Sequence, residues 1–318
     1  MSELKIWFLD VGHGDCAYVE LPNGARMMID CGGYDHWPSR LLSHYNVTKL
    51  ANPAPIPNHS SEFALDMLVI THPHGDHIAD IEAIHDKIGF YMLTGNYKAF
   101  IDTIALEQID FRKRGQAAAK KFVEVVKKYT GPYVEDKDRV LLARPSCTVK
   151  KARFIEYEKS VDFNDLSWFV SFEIGTNKVL FVGDMTSGGI KKILDSDRAK
   201  QFRDFVKGTT ILKIPHHGRE NGCSGEMFDA FGDKPLLCVA SDEVLNDKNE
   251  GTSRIGWYSD RVSDQKINID GKMQNRKVLT TRSDKDIFLG VSESGELRIT
   301  TNCFRDVRDE TGENKQQR

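Results

Sequence analysis

The segment His72-Pro73-His74-Gly75-Asp76-His77 packs three imidazoles and a carboxylate into six consecutive positions, directly after the apolar run Asp66 to Thr71. Imidazole is the commonest side-chain ligand for divalent transition metals. In an extended backbone, residues two apart face the same way, so His72 and His74 can address one ion, with Pro73 stiffening their spacing. Gly75 permits a sharp turn, which lets Asp76 and His77 address a second ion beside the first. Two later segments deliver the same chemistry from the ends of apolar runs. Lys178 to Val182 leads into Gly183-Asp184, and Ile211 to Ile214 leads into Pro215-His216-His217-Gly218. Loops at one edge of an α/β sheet are where such side chains converge. Asp184 alone would be an ordinary post-strand carboxylate; after the histidine cluster it becomes the candidate bridge between two ions.

The elements that must position these residues are legible as short apolar runs. Lys5 to Val11, Cys16 to Leu21 and Arg26 to Ile29 read as strands, with Pro22-Asn23-Gly24 as a hairpin turn. Asp66 to Thr71 reads as a strand buried on both faces. The three prolines of Asn52 to Asn58 predict a surface loop, and Gln116 to Lys128 predicts a helix within a basic helical insert at about 98–130. Strands are expected again at Thr148 to Tyr157, Leu166 to Ile174, Lys178 to Val182, Thr210 to Ile214, Leu236 to Ala240, Lys277 to Thr281, Ile287 to Val291 and Glu296 to Thr300. Gly175-Thr176-Asn177 marks a hairpin. Residues 1–303 read as one domain and 304–318 as a charged tail, whose last dozen or so residues are expected to be frayed.

Composition bounds the function classes. With 40% hydrophobic and 29% charged residues in 318, the chain is neither disordered nor membrane-spanning in character. A net charge of -3 provides no global attraction to nucleic acid, so a polyanion must be gripped by a local patch. The six cysteines are scattered without a CxxC pair, which predicts reduced thiols; with no apparent leader at the N-terminus, a cytoplasmic location is expected.

The HxHxDH pattern, the later Gly-Asp and the strand-terminal histidines resemble the metallo-β-lactamase superfamily. More narrowly, Phe8 to Cys16, Ile29-Asp30-Cys31-Gly32, Leu212 to Gly218 and the closing segment from Thr280 to Ile299 are similar to the hydrolase domain of ComEC competence proteins. The resemblance implies an α/β (α+β) fold, a four-layer αββα sandwich with a dinuclear site at one edge. It implies His72, His74, Asp76, His77 and Asp184 as ligands, together with His216, beside which stands His217. It also implies Asp30 as the acceptor that orients the ligand loop. The superfamily's usual third histidine for the first ion is missing, since no His occurs from Asp86 to Pro215. Asn164 or Asp165 stands where an oxygen ligand could replace it, which would harden the site and favour Mn²⁺ over Zn²⁺. His13 stands where ComEC relatives have Gln, and is a candidate substrate contact or proton carrier. Arg219 stands where Ser is typical, and its fork suits a phosphate oxygen. The remaining histidines His36, His44, His59 and His85 lack partners in sequence and are expected at the surface.

Two divalent ions about 3.5–4 Å apart can share and activate a water for in-line displacement. The reading implied by the resemblance is a hydrolase using two Zn²⁺ or Mn²⁺ ions, a phosphodiesterase or nuclease acting on DNA or RNA, with Asp76, His217 and His13 as catalytic candidates. Hydrolysis of small phosphoesters, carboxylic esters or lactones is the nearest alternative, and a non-catalytic binding module of the same fold is the other.

Overall fold

The computed structural model describes residues 3–33, 35–47, 64–94, 116–128, 147–156, 161–243 and 254–311. Two sheets form its centre. The first contains β1 (Glu3–Phe8), β2 (Ala17–Glu20), β3 (Arg26–Ile29), β4 (Leu65–Val69), β5 (Phe90–Thr94), β11 (Ile267–Ile269), β12 (Lys272–Gln274), β14 (Ile287–Ser292) and β15 (Leu297–Thr300), in the order β12-β11-β15-β14-β1-β2-β3-β4-β5. The second contains β6 (Thr148–Ala152), β7 (Phe169–Ile174), β8 (Asn177–Phe181), β9 (Ile211–Lys213), β10 (Leu237–Ala240) and β13 (Val278–Thr280), in the order β13-β10-β9-β8-β7-β6.

Side-chain alternation determines how the sheets stack. In β1, Leu4, Ile6 and Phe8 are buried while the intervening residues are partly exposed. They join a core that also contains Val19, Met27 and Met67 from their own sheet and Val170, Phe172, Val179, Phe181, Ile211 and Leu237 from the other. The Phe8 and Phe181 rings stack across this interface with centroids 5.6 Å apart. The sheets therefore pack face to face. On the outer face of the first sheet, Leu65, Leu68 and Ile70 meet Trp37 and Leu41 of α1 (Trp37–His44), Ile78 of α2 (Gly75–Ile78), and Phe122 and Val125 of α3 (Gln116–Lys128). On the outer face of the second, Leu180 and Leu212 meet Ile190 of α4 (Ser187–Leu194), Phe202 of α5 (Ala199–Val206) and Met227 of α6 (Gly225–Phe231). The result is the four-layer αββα sandwich, with β4 buried along its whole length as expected.

Several boundaries shift in structure. The expected strand at Leu166 to Ile174 begins only at Phe169, because Phe163–Leu166 forms a 3-10 turn. The hairpin at Gly175 is present, with φ 56, a left-handed conformation that costs glycine little. β5, β11 and β12 were not legible as strands. The proline-rich loop and His59 lie outside the described residues, as does all of the expected insert except 116–128.

The expectation of a frayed tail needs correction at its start. Arg305–Thr311 forms a helix, α7, and its Arg308 is buried. The guanidinium donates to Asp286 Oδ2 at 2.6 Å and Oδ1 at 3.0 Å and to the Asp10 carbonyl at 2.7 Å, and lies 4.0 Å over the Trp37 ring. Asp286 also accepts from the Trp37 indole and the Asp10 backbone N–H. A charged sequence signalled a solvated tail, but one arginine in it finds a buried partner. That contact braces the loop after β1, which carries His13.

The six cysteines are unpaired, as expected. Among the described residues, no helix is long and apolar enough to cross a membrane.

Candidate metal centre

Four loops from the same edge of the two sheets build the site. The loop after β4 carries His72, His74, Asp76 and His77. It is held from both sides by backbone: Asp15 N–H donates to the Asp76 carbonyl at 3.2 Å, and Cys31 N–H donates to the His77 carbonyl at 2.9 Å. This approach requires glycine. A Cβ on Gly14 would sit 2.4 Å from the Asp76 carbonyl oxygen, and one on Gly32 only 2.2 Å from it. The glycines of the two early motifs thus let the chain close around the histidine loop.

Asp30 fixes the orientation of that loop. It is buried, and its carboxylate accepts from Thr71 N–H at 2.7 Å, from Thr71 Oγ1 at 2.7 Å and from His77 Nδ1 at 2.8 Å. With Nδ1 donating, the His77 Nε2 lone pair points inward. Asp184 follows β8. Its N–H donates to Ser167 Oγ at 3.1 Å, and Gly183 before it has φ 56 with no room for a side chain against Ser167 and Thr71. The last segment follows β9, where His216 and His217 both adopt left-handed backbone, φ 48 and 53. Two such residues in succession are strained, a condition that clusters at functional sites.

The side chains converge on Asp184. Its Oδ2 lies 3.3 Å from His77 Nε2, 3.4 Å from His217 Nε2, 3.8 Å from His216 Nε2 and 3.9 Å from His72 Nε2. His72 Nε2 faces His74 Nδ1 at 3.0 Å. Asp76 Oδ2 lies 3.4 Å from His217 Nε2 and 3.1 Å from His13 Nε2. Among the described residues, the His/Asp groups close enough to hold an ion include the set His72, His77 and Asp184, the set His13, Asp76 and His217, and two that contain Asp15, one with Asp30 and His77 and one with Asp184 and His217.

Both strand-terminal histidines reach the site, but unequally. His217 is buried, with Nδ1 3.1 Å from the Ser241 carbonyl, and its Nε2 has no hydrogen-bond partner while facing two carboxylates. His216 Nε2 is farther from Asp184 and contacts Arg219 Nη1 at 3.3 Å. Arg219 Nη2 contacts His13 Nε2 at 3.2 Å, so this arginine stands at the edge of the cluster. Asn164 is buried on the 3-10 turn whose Phe163 ring packs 5.8 Å from the His74 ring, and its Oδ1 has no hydrogen-bond partner. Asp165 is engaged elsewhere, accepting from Thr186 Oγ1 at 2.6 Å and Lys192 Nζ at 3.1 Å. Of the two oxygens expected as a replacement ligand, Asp165 is thus committed to Thr186 and Lys192, whereas Asn164 Oδ1 has no hydrogen-bond partner.

Asp15 and Lys213 stand within the ComEC-like motifs, with no role expected for either. Lys213 Nζ pairs with Asp15 Oδ1 at 2.7 Å, both side chains being buried, and the same oxygen lies 3.8 Å from His217 Nδ1. A lysine in an otherwise apolar strand was the available signal. Of the histidines expected at the surface, His44 and His36 are exposed, His36 Nδ1 lying 2.7 Å from buried Asp80, and His85 is partly buried.

The electrostatics divide the cluster. Burial disfavours the charge on Asp76 and Asp184, yet the His13 and His217 rings beside it hold Asp76 well below the usual carboxylate range, and the charges of His217 and His77 do the same for Asp184. Burial pushes His72, His74 and His216 down, toward neutral imidazoles. Burial also opposes the charge of His77 and His217, but Asp184, with Asp30 and Asp15 respectively, outweighs it. His77 is raised well above its ordinary value and His217 to about 10. The arrangement concentrates anionic oxygen and imidazole nitrogen where a cation would satisfy both.

The αββα architecture and a His/Asp cluster at one sheet edge define the class to which the chain can be compared. The family model for the metallo-beta-lactamase superfamily matches residues 9–91, which include Asp15, Asp30 and the whole histidine loop. No curated protein matches the chain. Among solved structures, it is similar to a Thermotoga maritima protein assigned as a metallo-beta-lactamase, at 16% identity and TM-score 0.38 over 67% of this chain and 96% of that one. It is also similar to a long form RNase Z from yeast, at 11% identity and TM-score 0.38 over 80% of this chain and 39% of that one.

Proposed function

We propose that the chain is a metal-dependent hydrolase of the metallo-β-lactamase superfamily that cleaves phosphodiester bonds, with DNA or RNA as substrate. The observation that carries this reading is the set of four imidazole nitrogens within 3.3–3.9 Å of Asp184 Oδ2. The donor set fits two divalent ions. Two ligands about 2.0–2.1 Å from one ion at the tetrahedral angle are roughly 3.3 Å apart, which is the spacing seen between His77 Nε2, His217 Nε2 and Asp184. Orphaned Asn164 Oδ1 and His217 Nε2 are further atoms that a cation would satisfy.

His72, His74 and Asn164 would hold one ion and Asp76, His77 and His217 the other, with Asp184 shared and His216 at the rim. Asn164 adds oxygen to the first set, which supports Mn²⁺ alongside Zn²⁺. When bound, such ions supply Lewis acidity and a water of lowered pKa. The chain's own residues do the rest. Asp30 keeps the His77 lone pair inward, and the Arg219 fork orients an anionic phosphate oxygen. The ComEC-like motifs and Arg219 support a phosphodiester over a carboxylic ester or lactone.

The test supplies Mn²⁺ and Zn²⁺ separately to wild type and Asp184→Ala and measures cleavage of single-stranded DNA, duplex DNA, RNA and small phosphodiesters. Polynucleotide cleavage by wild type alone is expected. Turnover only of small diesters would remove the nuclease reading, equal turnover by both proteins would remove Asp184 from the reaction, and no hydrolysis by metal-loaded wild type would leave a binding module.

A further inference from the structure

We propose that His13 is itself a metal ligand, completing with Asp76 and His217 a second cation cage nearer the surface than the His72 set; this rests on the metal-dependent reading above. His13 lies in the loop after β1, remote in sequence from the other candidate ligands. Its Nε2 is 3.1 Å from Asp76 Oδ2, His217 Nε2 is 3.4 Å from the same oxygen, and the two rings lie with centroids 5.0 Å apart. These separations bracket the roughly 3.3 Å expected between ligands of one tetrahedral ion.

Hydrogen bonding does not account for the arrangement. His13 Nε2 is also 3.2 Å from Arg219 Nη2. A guanidinium only donates and an ionised carboxylate only accepts, so one imidazole nitrogen cannot satisfy Arg219 and Asp76 together. His217 Nε2 is a second unsatisfied atom: Nδ1 is committed to the Ser241 carbonyl, and Nε2 faces Asp76 and Asp184 at 3.4 Å each without hydrogen-bond geometry to either. A cation among these atoms would satisfy both nitrogens, because it accepts lone pairs from His13 and His217 and neutralises the carboxylates.

The assignment has a consequence for Arg219. Its two Nη groups now lie against the lone-pair positions of His13 and His216, so the guanidinium competes with a metal for His13. Ligation by His13 frees one arm of the fork for an anionic substrate oxygen. Metal loading and substrate binding would then be coupled through one side chain.

Cobalt(II) titration of the metal-free protein, read by the visible d–d bands and by elemental analysis after desalting, tests this without catalysis. Wild type is expected to bind in two phases. His13→Ala should weaken one phase at least ~10-fold and change its spectrum, leaving the other phase intact. Arg219→Ala should leave that phase unchanged or tighter. Two undisturbed phases and an unchanged spectrum in His13→Ala would overturn the assignment while the metal reading stands, as would an equal loss in Arg219→Ala. Failure of wild type to bind cobalt would remove both readings together.

Discussion

Asp30→Asn is the substitution that separates positioning from ligation. Asp30 has φ 56, a backbone conformation that asparagine tolerates as well as aspartate, so the loop geometry should survive. The carboxylate accepts three hydrogen bonds, from Thr71 N–H, Thr71 Oγ1 and His77 Nδ1. An asparagine retains one acceptor oxygen, which the Thr71 N–H takes, and turns an NH₂ donor toward His77 Nδ1. Two donors then oppose each other 2.8 Å apart unless His77 moves its proton to Nε2. In that tautomer Nε2 has no lone pair for a metal. Loss of such an orienting partner costs 10–100-fold in metal affinity, or about 1.4–2.8 kcal/mol. The assay is competition for Zn²⁺ against a chromophoric chelator, with circular dichroism confirming the fold. Affinity within about twofold of wild type would refute the claim that Asp30 orients His77 for ligation.

Three other outcomes are expected. Arg308→Ala leaves Asp286 buried without its cation and should destabilise the protein by about 3–5 kcal/mol in urea unfolding, whereas a solvated tail would give almost no change. Zinc binding near pH 8 should release protons, because His217 is raised from 6.5 to about 10 and must become neutral to ligate. Calorimetry in buffers of different ionisation enthalpy reads the number released, and identical heats would contradict it. In the metal-free protein, the same raised value stabilises the fold fully below about 6.5 and progressively less as pH rises through about 10, so thermal stability should fall over that window.

Much of the site was legible because its chemistry is written locally. His72 to His77 is contiguous, and Asp184 and His216-His217 each follow an apolar run that can only be a buried strand. The same reasoning recovered β1, β3, β4, β7 and β8 to within a few residues. What sequence could not supply was pairing across the fold. The Lys213–Asp15 ion pair spans the two sheets, and neither residue announces the other. Arg308 and Asp286 are likewise ordinary charges until the α7 helix docks against α1 and the loop after β1. Which of the His216 and His217 rings turns toward the Asp76 and Asp184 carboxylates follows from two consecutive left-handed residues, which composition does not predict. The short strands β11 and β12 sit at a sheet edge, where Lys272, Met273 and Gln274 are largely solvent-facing and the apolar alternation is lost.

The central claim is that loops from four remote segments close around divalent cations shared by Asp184. Anomalous diffraction from crystals soaked in Mn²⁺ or Zn²⁺ tests it most directly. Two peaks are expected, both adjoining the Asp184 carboxylate, one beside His72 and His74 and one beside Asp76 and His217. A map with no anomalous density among these side chains, at metal concentrations that load the protein's surface, would contradict it.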